Sequence, residues 1–264
     1  MLPQDRTLPP MNIPDQFWQT PPTHPTLCRN EVQIWRAELD QPADRVEELS
    51  LHLAEDESRR AARFHRERDR RRFIVGRGVL RGILGLYLRL QPAGVQFGYG
   101  THGKPCLAMA EWGAGLEFNL AHAGSLVLYA FSRRGAIGID VEQVRPLPNM
   151  ELIGAKFFSA GENAAYAALP AEEKELGFYH CWVRKEAYLK ALGEGLARPP
   201  EQVEVSLAPG EPAQLLHVAG APDEAGRWSL VSLAPMAGYV AALAAEGGVR
   251  PITCWDYELL PIGV

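Results

Sequence analysis

The chain has 264 residues, 47% of them hydrophobic and 22% charged, and a formal net charge of −5. It can bury one large core or two linked ones, and its acidic balance argues against a general nucleic-acid binder. Four scattered cysteines, Cys28, Cys106, Cys181 and Cys254, have no C-x-x-C spacing and read as reduced thiols of a cytoplasmic protein rather than as a disulfide framework. In chain order, residues 2–25 are rich in proline and lack both a basic and an apolar signal region, so nothing there directs export. A strand is predicted at Val32–Arg36, then helices over Ala43–Leu53, Glu55–Arg72 and Phe73–Leu90. The last of these is interrupted by Arg77, Arg81 and Arg89 and does not read as a membrane span. Strands follow at Val95–Tyr99, Leu116–Ala121 and Leu126–Ser132, and Arg133-Arg134-Gly135 reads as a junction. The second half opens on a buried strand from Ala136 and continues through helical stretches at Leu152–Lys156 and Glu162–Ala168. A long helix over Phe178–Leu192 follows, and then strands at Val203–Leu207, Gln214–Val218, Trp228–Leu233 and Tyr239–Ala244. Strands and helices without regular β-α-β alternation indicate an α+β fold, with lobes at 1–134, including the proline-rich extension, and 135–264.

Two segments carry chemistry. In Gly138-Ile139-Asp140-Val141-Glu142, strand periodicity sends Asp140 and Glu142 to one face and Val141 to the core. In Trp182-Val183-Arg184-Lys185-Glu186-Ala187-Tyr188-Leu189-Lys190, four-residue spacing stacks Glu186 and Lys190 on one helix face. Three carboxylates suit magnesium, a hard cation that takes a few carboxylates plus phosphate oxygens. The lysines suit charge that develops in phosphoryl transfer. The arginine-dense run Arg59–Arg72 contains Glu67 and Asp69, with Glu55 and Glu57 close before it, and reads mostly as a solvated helix surface.

Together the two segments resemble the signature of the 4′-phosphopantetheinyl transferases of the larger Sfp type, whose members carry a G-[IV]-D-x-E strand and a W-x-x-K-E-A-x-x-K helix. Three further stretches match in order. Gly103-Lys104-Pro105 is similar to the family's G-K-P turn, and Phe118-Asn119-Leu120-Ala121-His122-Ala123 to its F-N-[IL]-S-H-[ST] strand. Phe157-Phe158-Ser159-Ala160-Gly161-Glu162 is similar to its F-[FS]-x-x-E segment. The resemblance implies a monomer of two similar α+β lobes, a pseudo-dimeric fold with the active site between them. It also implies transfer of the 4′-phosphopantetheine arm of coenzyme A to a serine of an acyl or peptidyl carrier protein, releasing adenosine 3′,5′-bisphosphate.

Carried over residue by residue, the resemblance puts Mg2+ on Asp140, Glu142 and Glu186. It puts the cofactor phosphates near Arg60, Arg72, Lys104 and His122, with Lys185 on a peripheral phosphate or the carrier protein. Lys190 would stabilise the leaving phosphate, and either Glu162 or Glu186 would take the serine proton. Ala121 and Ala123 replace hydroxyls usual in the family, and the Trp/Lys-Glu-Ala motif points to the branch linked to secondary-metabolite synthases. Two rival readings are a non-catalytic coenzyme A or carrier-protein binder and a Mg2+-dependent phosphohydrolase. A product assay separates both from a transferase.

Overall fold

A computed structural model describes residues 17–100, 103–108, 115–193, 198–248 and 250–259. The proline-rich extension up to residue 16 lies outside the described residues. The first lobe runs β1 (Val32–Glu38), α1 (Ala43–Ser50), α2 (Glu55–Ala61), α3 (Glu67–Leu88), β2 (Phe97–Tyr99), β3 (Pro105–Leu107), β4 (Glu117–Ala123) and β5 (Leu126–Ser132). The second runs β6 (Ile137–Gln143), α4 (Met150–Phe157), α5 (Ala160–Ala168), α6 (Ala171–Leu192), β7 (Val203–Val205), β8 (Leu215–Val218), β9 (Trp228–Leu233) and β10 (Tyr239–Glu246). The order repeats: a strand, two short helices, a long helix, a proline-led 3-10 turn (Pro92–Gly94, Pro200–Gln202), a small hairpin and two antiparallel strands. The sheets repeat as well, β1-β5-β4 in one lobe and β6-β10-β9 in the other. No residue-level repeat accompanies this match, so the symmetry becomes visible only in three dimensions.

The layers are helix, sheet, sheet, helix, and each strand states its place by alternation. In β5, Val127, Tyr129 and Phe131 pack in the core under α3, while Leu126, Leu128 and Ala130 pack between the two sheets. In β10, Ala241 and Leu243 face the first sheet, and Ala242 and Ala244 face the core around α6. Because both faces of β5 are covered, all seven of its residues are buried. The α3 helix meets α1 at Gly78, where any Cβ would fall 2.6 Å from the Leu49 carbonyl oxygen. Only glycine allows that approach.

Three features depart from the sequence reading. The predicted helix over Glu55–Arg72 is two: α2 stops at Ala61, the chain turns, and α3 begins at Glu67. The reversal lets Glu57 accept from Arg81 and pair by charge with Arg77, both of α3, with Glu57 buried at 3% exposure. The long second-lobe helix starts at Ala171, after Pro170, because proline is compatible with the start of a helix and not with its interior. Finally, β11 (Ile252–Asp256) pairs in parallel with β1, and Tyr257 enters the first core. Residues 252–257 therefore belong to the first lobe, so an assignment of 135–264 to one lobe does not describe them.

Candidate active site

The strand β6 and the helix α6 lie together because Gly138 has no side chain. A Cβ there would collide with the Ala187 carbonyl oxygen and the Ala191 amide nitrogen. Ile137, Ile139 and Val141 point between the sheets, so Asp140 and Glu142 turn to the α6 side. There Lys190 donates to Asp140 Oδ1 at 2.5 Å, with Asp140 5% exposed and the Lys190 side chain 32% exposed. Trp182, two α6 turns from Lys190, stands by the Glu142 carboxylate and works against the burial that raises its pKa. Its ring is stacked on Phe157 at 4.2 Å between centroids. Trp182 therefore adjoins a site carboxylate as well as anchoring the helix.

The three carboxylates repel one another. Burial, and then the charges of Glu186 and Glu142, push Asp140 up to about 7 against the pull of Lys190. Burial raises Glu142 too, with Glu186 adding to the rise, and burial raises Glu186. Among the described residues no three His, Cys, Asp or Glu side chains form a closed metal cluster. The chemistry of the set still fits a hard divalent cation: every donor is a carboxylate oxygen, the charges destabilise one another, and buried Asp140 Oδ2 has no hydrogen-bond partner.

The first lobe supplies the facing wall. His122, near the end of β4, is exposed, and desolvation followed by the charges of Lys190 and Arg72 holds its imidazole below the usual pKa. Arg72 of α3 grips Asp40 through two bonds, at 2.7 and 2.6 Å, and donates to Gly124 O in the β4–β5 turn. That anchor fixes a guanidinium beside His122. Arg60 is exposed and lies 5.2 Å above the Phe73 ring. The structure thus brings Asp140, Glu142, Glu186, Lys190, His122 and Arg72 to one junction between the lobes.

Three residues expected at the cofactor or the reacting atoms stand elsewhere. Lys104 donates to the backbone carbonyls of Lys190, Ile137 and Ala191, and burial lowers its pKa. Lys185 is fully buried, bound to Phe157 O at 3.0 Å, Pro200 O at 2.8 Å and Glu162 Oε2 at 2.5 Å. Glu162 is 1% exposed, and its oxygens accept from Ser159 N, Val205 N and Lys185. The reason is helix rotation. Lys185 is the neighbour of Glu186 in sequence but sits about 100° around the helix, facing the core. Glu162 is the third residue of a helix whose start it caps from within. The buried pair repeats Glu57 and Arg81 of the first lobe, which tie α2 to α3 in the same way.

Sequence reasoning passed over several contributors. Asp40 orients Arg72, and Arg145 lowers Glu142 by its charge. Asn119 Oδ1 accepts from Ile139 N at 2.9 Å, joining β4 to β6 one residue before Asp140. The Asn of the F-N-L-A-H stretch was the available signal. Asp40 had none, because its contact spans 32 residues.

Known proteins match the chain in both lobes. Residues 136–244 match the family described as the 4′-phosphopantetheinyl transferase superfamily, and residues 35–134 match the one described as 4′-phosphopantetheinyl transferase, N-terminal. The chain is 42% identical over 241 residues to 4′-phosphopantetheinyl transferase HetI of a Nostoc species, covering 91% of this chain and 98% of that protein. It is 28% identical over 178 residues to 4′-phosphopantetheinyl transferase Sfp of Bacillus subtilis, covering 67% of this chain and 77% of that one. With both lobes matched, and with a relative 42% identical over nearly its whole length, the chain belongs to the 4′-phosphopantetheinyl transferase superfamily, as a transferase of the Sfp and HetI type.

Proposed function

We propose that the protein moves the 4′-phosphopantetheine arm of coenzyme A to a serine of an acyl or peptidyl carrier protein. The observation that carries this reading is the meeting of Asp140, Glu142, Glu186 and Lys190 from the second lobe with His122 and Arg72 from the first. Asp140, Glu142 and Glu186 would hold Mg2+, which when bound supplies positive charge to the pyrophosphate oxygens. Arg72, Arg60 and His122 receive the remaining cofactor phosphate, with Arg72 already held in place by Asp40.

The serine oxygen forms a bond to the phosphorus that carries the pantetheine arm, and the bond from that phosphorus to the bridging pyrophosphate oxygen breaks. Adenosine 3′,5′-bisphosphate leaves. Glu186 takes the serine proton, directly or through a water. Both oxygens of Glu162 are occupied, which leaves the half-buried Glu186 carboxylate as the acceptor. Lys190 places its ammonium where the leaving phosphate gains charge. A single chain suffices, because both walls come from one polypeptide. All four cysteines are free thiols, and no helix among the described residues is long and apolar enough to cross a membrane.

The test is to incubate the protein with coenzyme A, Mg2+ and an apo carrier protein. The carrier mass should rise by one phosphopantetheine and adenosine 3′,5′-bisphosphate should appear. Consumption of coenzyme A with an unmodified carrier would instead mark a hydrolase.

A further inference from the structure

Lys104 leaves the β2–β3 connection between Gly103, at φ +80°, and Pro105, the first residue of β3. Its stem passes beside Gly193, where a Cβ would lie 3.5 Å from Lys104 Cδ. The ammonium donates to Lys190 O at 2.9 Å, Ile137 O at 3.2 Å and Ala191 O at 3.3 Å. The carbonyls of Lys190 and Ala191 belong to the last turn of α6, where carbonyls run short of helical donors and the dipole has its negative end; Lys190 O also accepts from Gly193 N at 3.2 Å and shares its second lone pair with Lys104. Ile137 O belongs to β6, three residues before Asp140. One cation of the first lobe therefore binds the strand that carries Asp140 and the helix that carries Lys190. An ammonium has three donors, and three carbonyls use them.

We infer that Lys104 is a positioning residue that holds the last turn of α6 in register with β6, so that Lys190 faces Asp140, and that it does not bind a cofactor phosphate. The inference rests on the transfer reading for its kinetic consequence. Its structural consequence stands apart from that reading: the carbonyls are held whether or not the reaction runs.

The variants are Lys104→Met, which keeps the length and loses the charge, and Lys104→Arg, which keeps a cation at the helix end. Wild-type protein must first modify an apo carrier, and failure there would sink the transfer reading and leave the tie to be judged by amide exchange alone. In Lys104→Met the single-turnover rate constant at saturating coenzyme A and carrier should fall at least tenfold, a quantity that a shrunken folded fraction does not change. The affinity for adenosine 3′,5′-bisphosphate without Mg2+ should stay within twofold, because the phosphate-binding side chains are elsewhere. Amide exchange over residues 187–193 should speed up at least tenfold, and Lys104→Arg should recover part of both losses. A tenfold loss of bisphosphate affinity would make Lys104 a phosphate ligand and overturn the inference. Unchanged amide exchange would also overturn it, as would an unchanged rate constant in a transfer-active protein. Should Lys104→Met not fold, Lys104→Arg decides alone: it must bind bisphosphate as wild type does, and with its fork poorly matched to three carbonyls it must show a reduced rate constant and faster exchange over 187–193.

Discussion

Asp140 keeps a carboxylate in a place that resists its charge. With its pKa up near 7 in the folded protein and an ordinary value near 3.8 in the unfolded chain, the folded state binds the extra proton between those limits. Stability from this group is therefore present below about pH 4 and lost as pH rises toward 7. Metal-free protein should unfold at lower temperature at pH 8 than at pH 5.5 on this account, and Mg2+ should narrow the gap. Asp140→Asn should raise the melting temperature of the metal-free protein at pH 8 and abolish transfer, which calorimetry and carrier mass together would check. A lower melting temperature for the variant would mean that the pair with Lys190 outweighs the cost of burial. Glu142→Gln and Glu186→Gln should likewise stop transfer while leaving the fold intact. Lys190→Ala should act on the chemical rate more than on cofactor binding, because its charge matters most as the leaving phosphate develops; an equal loss in both would place it in ground-state binding.

At the scale of elements, the long helix α6 does two jobs with opposite faces. Glu186 and Lys190 turn toward β6, while Lys185 turns inward and ties α4, α5 and the Pro200 turn to the helix. Lys185→Met leaves the Glu162 charge buried and unpaired, which should cost about 3–5 kcal/mol of stability. Changing both residues together to an apolar pair should cost less than the single change. Denaturant titration of Lys185→Met, Glu162→Leu and the double variant checks this; a double loss equal to the sum of the two single losses would mean that the pair is not coupled. At the strand, Gly138→Ala forces β6 away from α6. We expect a loss of about 2 kcal/mol or more together with transfer activity, read by melting temperature and carrier modification.

For the whole molecule, the final strand closes the first lobe from the far end of the chain. Removing residues 252–264 would strip β1 of its parallel neighbour and take Tyr257 out of the first core. The loss should be at least that of a large aromatic core truncation, about 3–5 kcal/mol, and should fall on the first lobe. Hydrogen exchange would show it in β1 and β5 before β9 and β10. Uniform loss across both sheets would instead mean that the two lobes unfold as one unit through the core they share between the sheets.

Patterns among neighbours along the chain were enough to read the motif carboxylates, Lys190 and most of the strands and helices. Alternation along β6 set Asp140 and Glu142 on one face, four-residue spacing set Glu186 with Lys190, and β5 and β9 begin and end where their apolar runs do. These are properties of neighbours along the chain, and periodicity records them. Only the tertiary structure decided what depends on distant partners. It turned Lys185 and Glu162 into an interior pair, occupied Lys104 with the carbonyls of α6, and sent β11 back to β1 across more than two hundred residues. A lysine beside a glutamate reads the same whether it faces a phosphate or a core; which it meets is fixed by the rotation of its helix against the rest of the fold, and no local pattern encodes that.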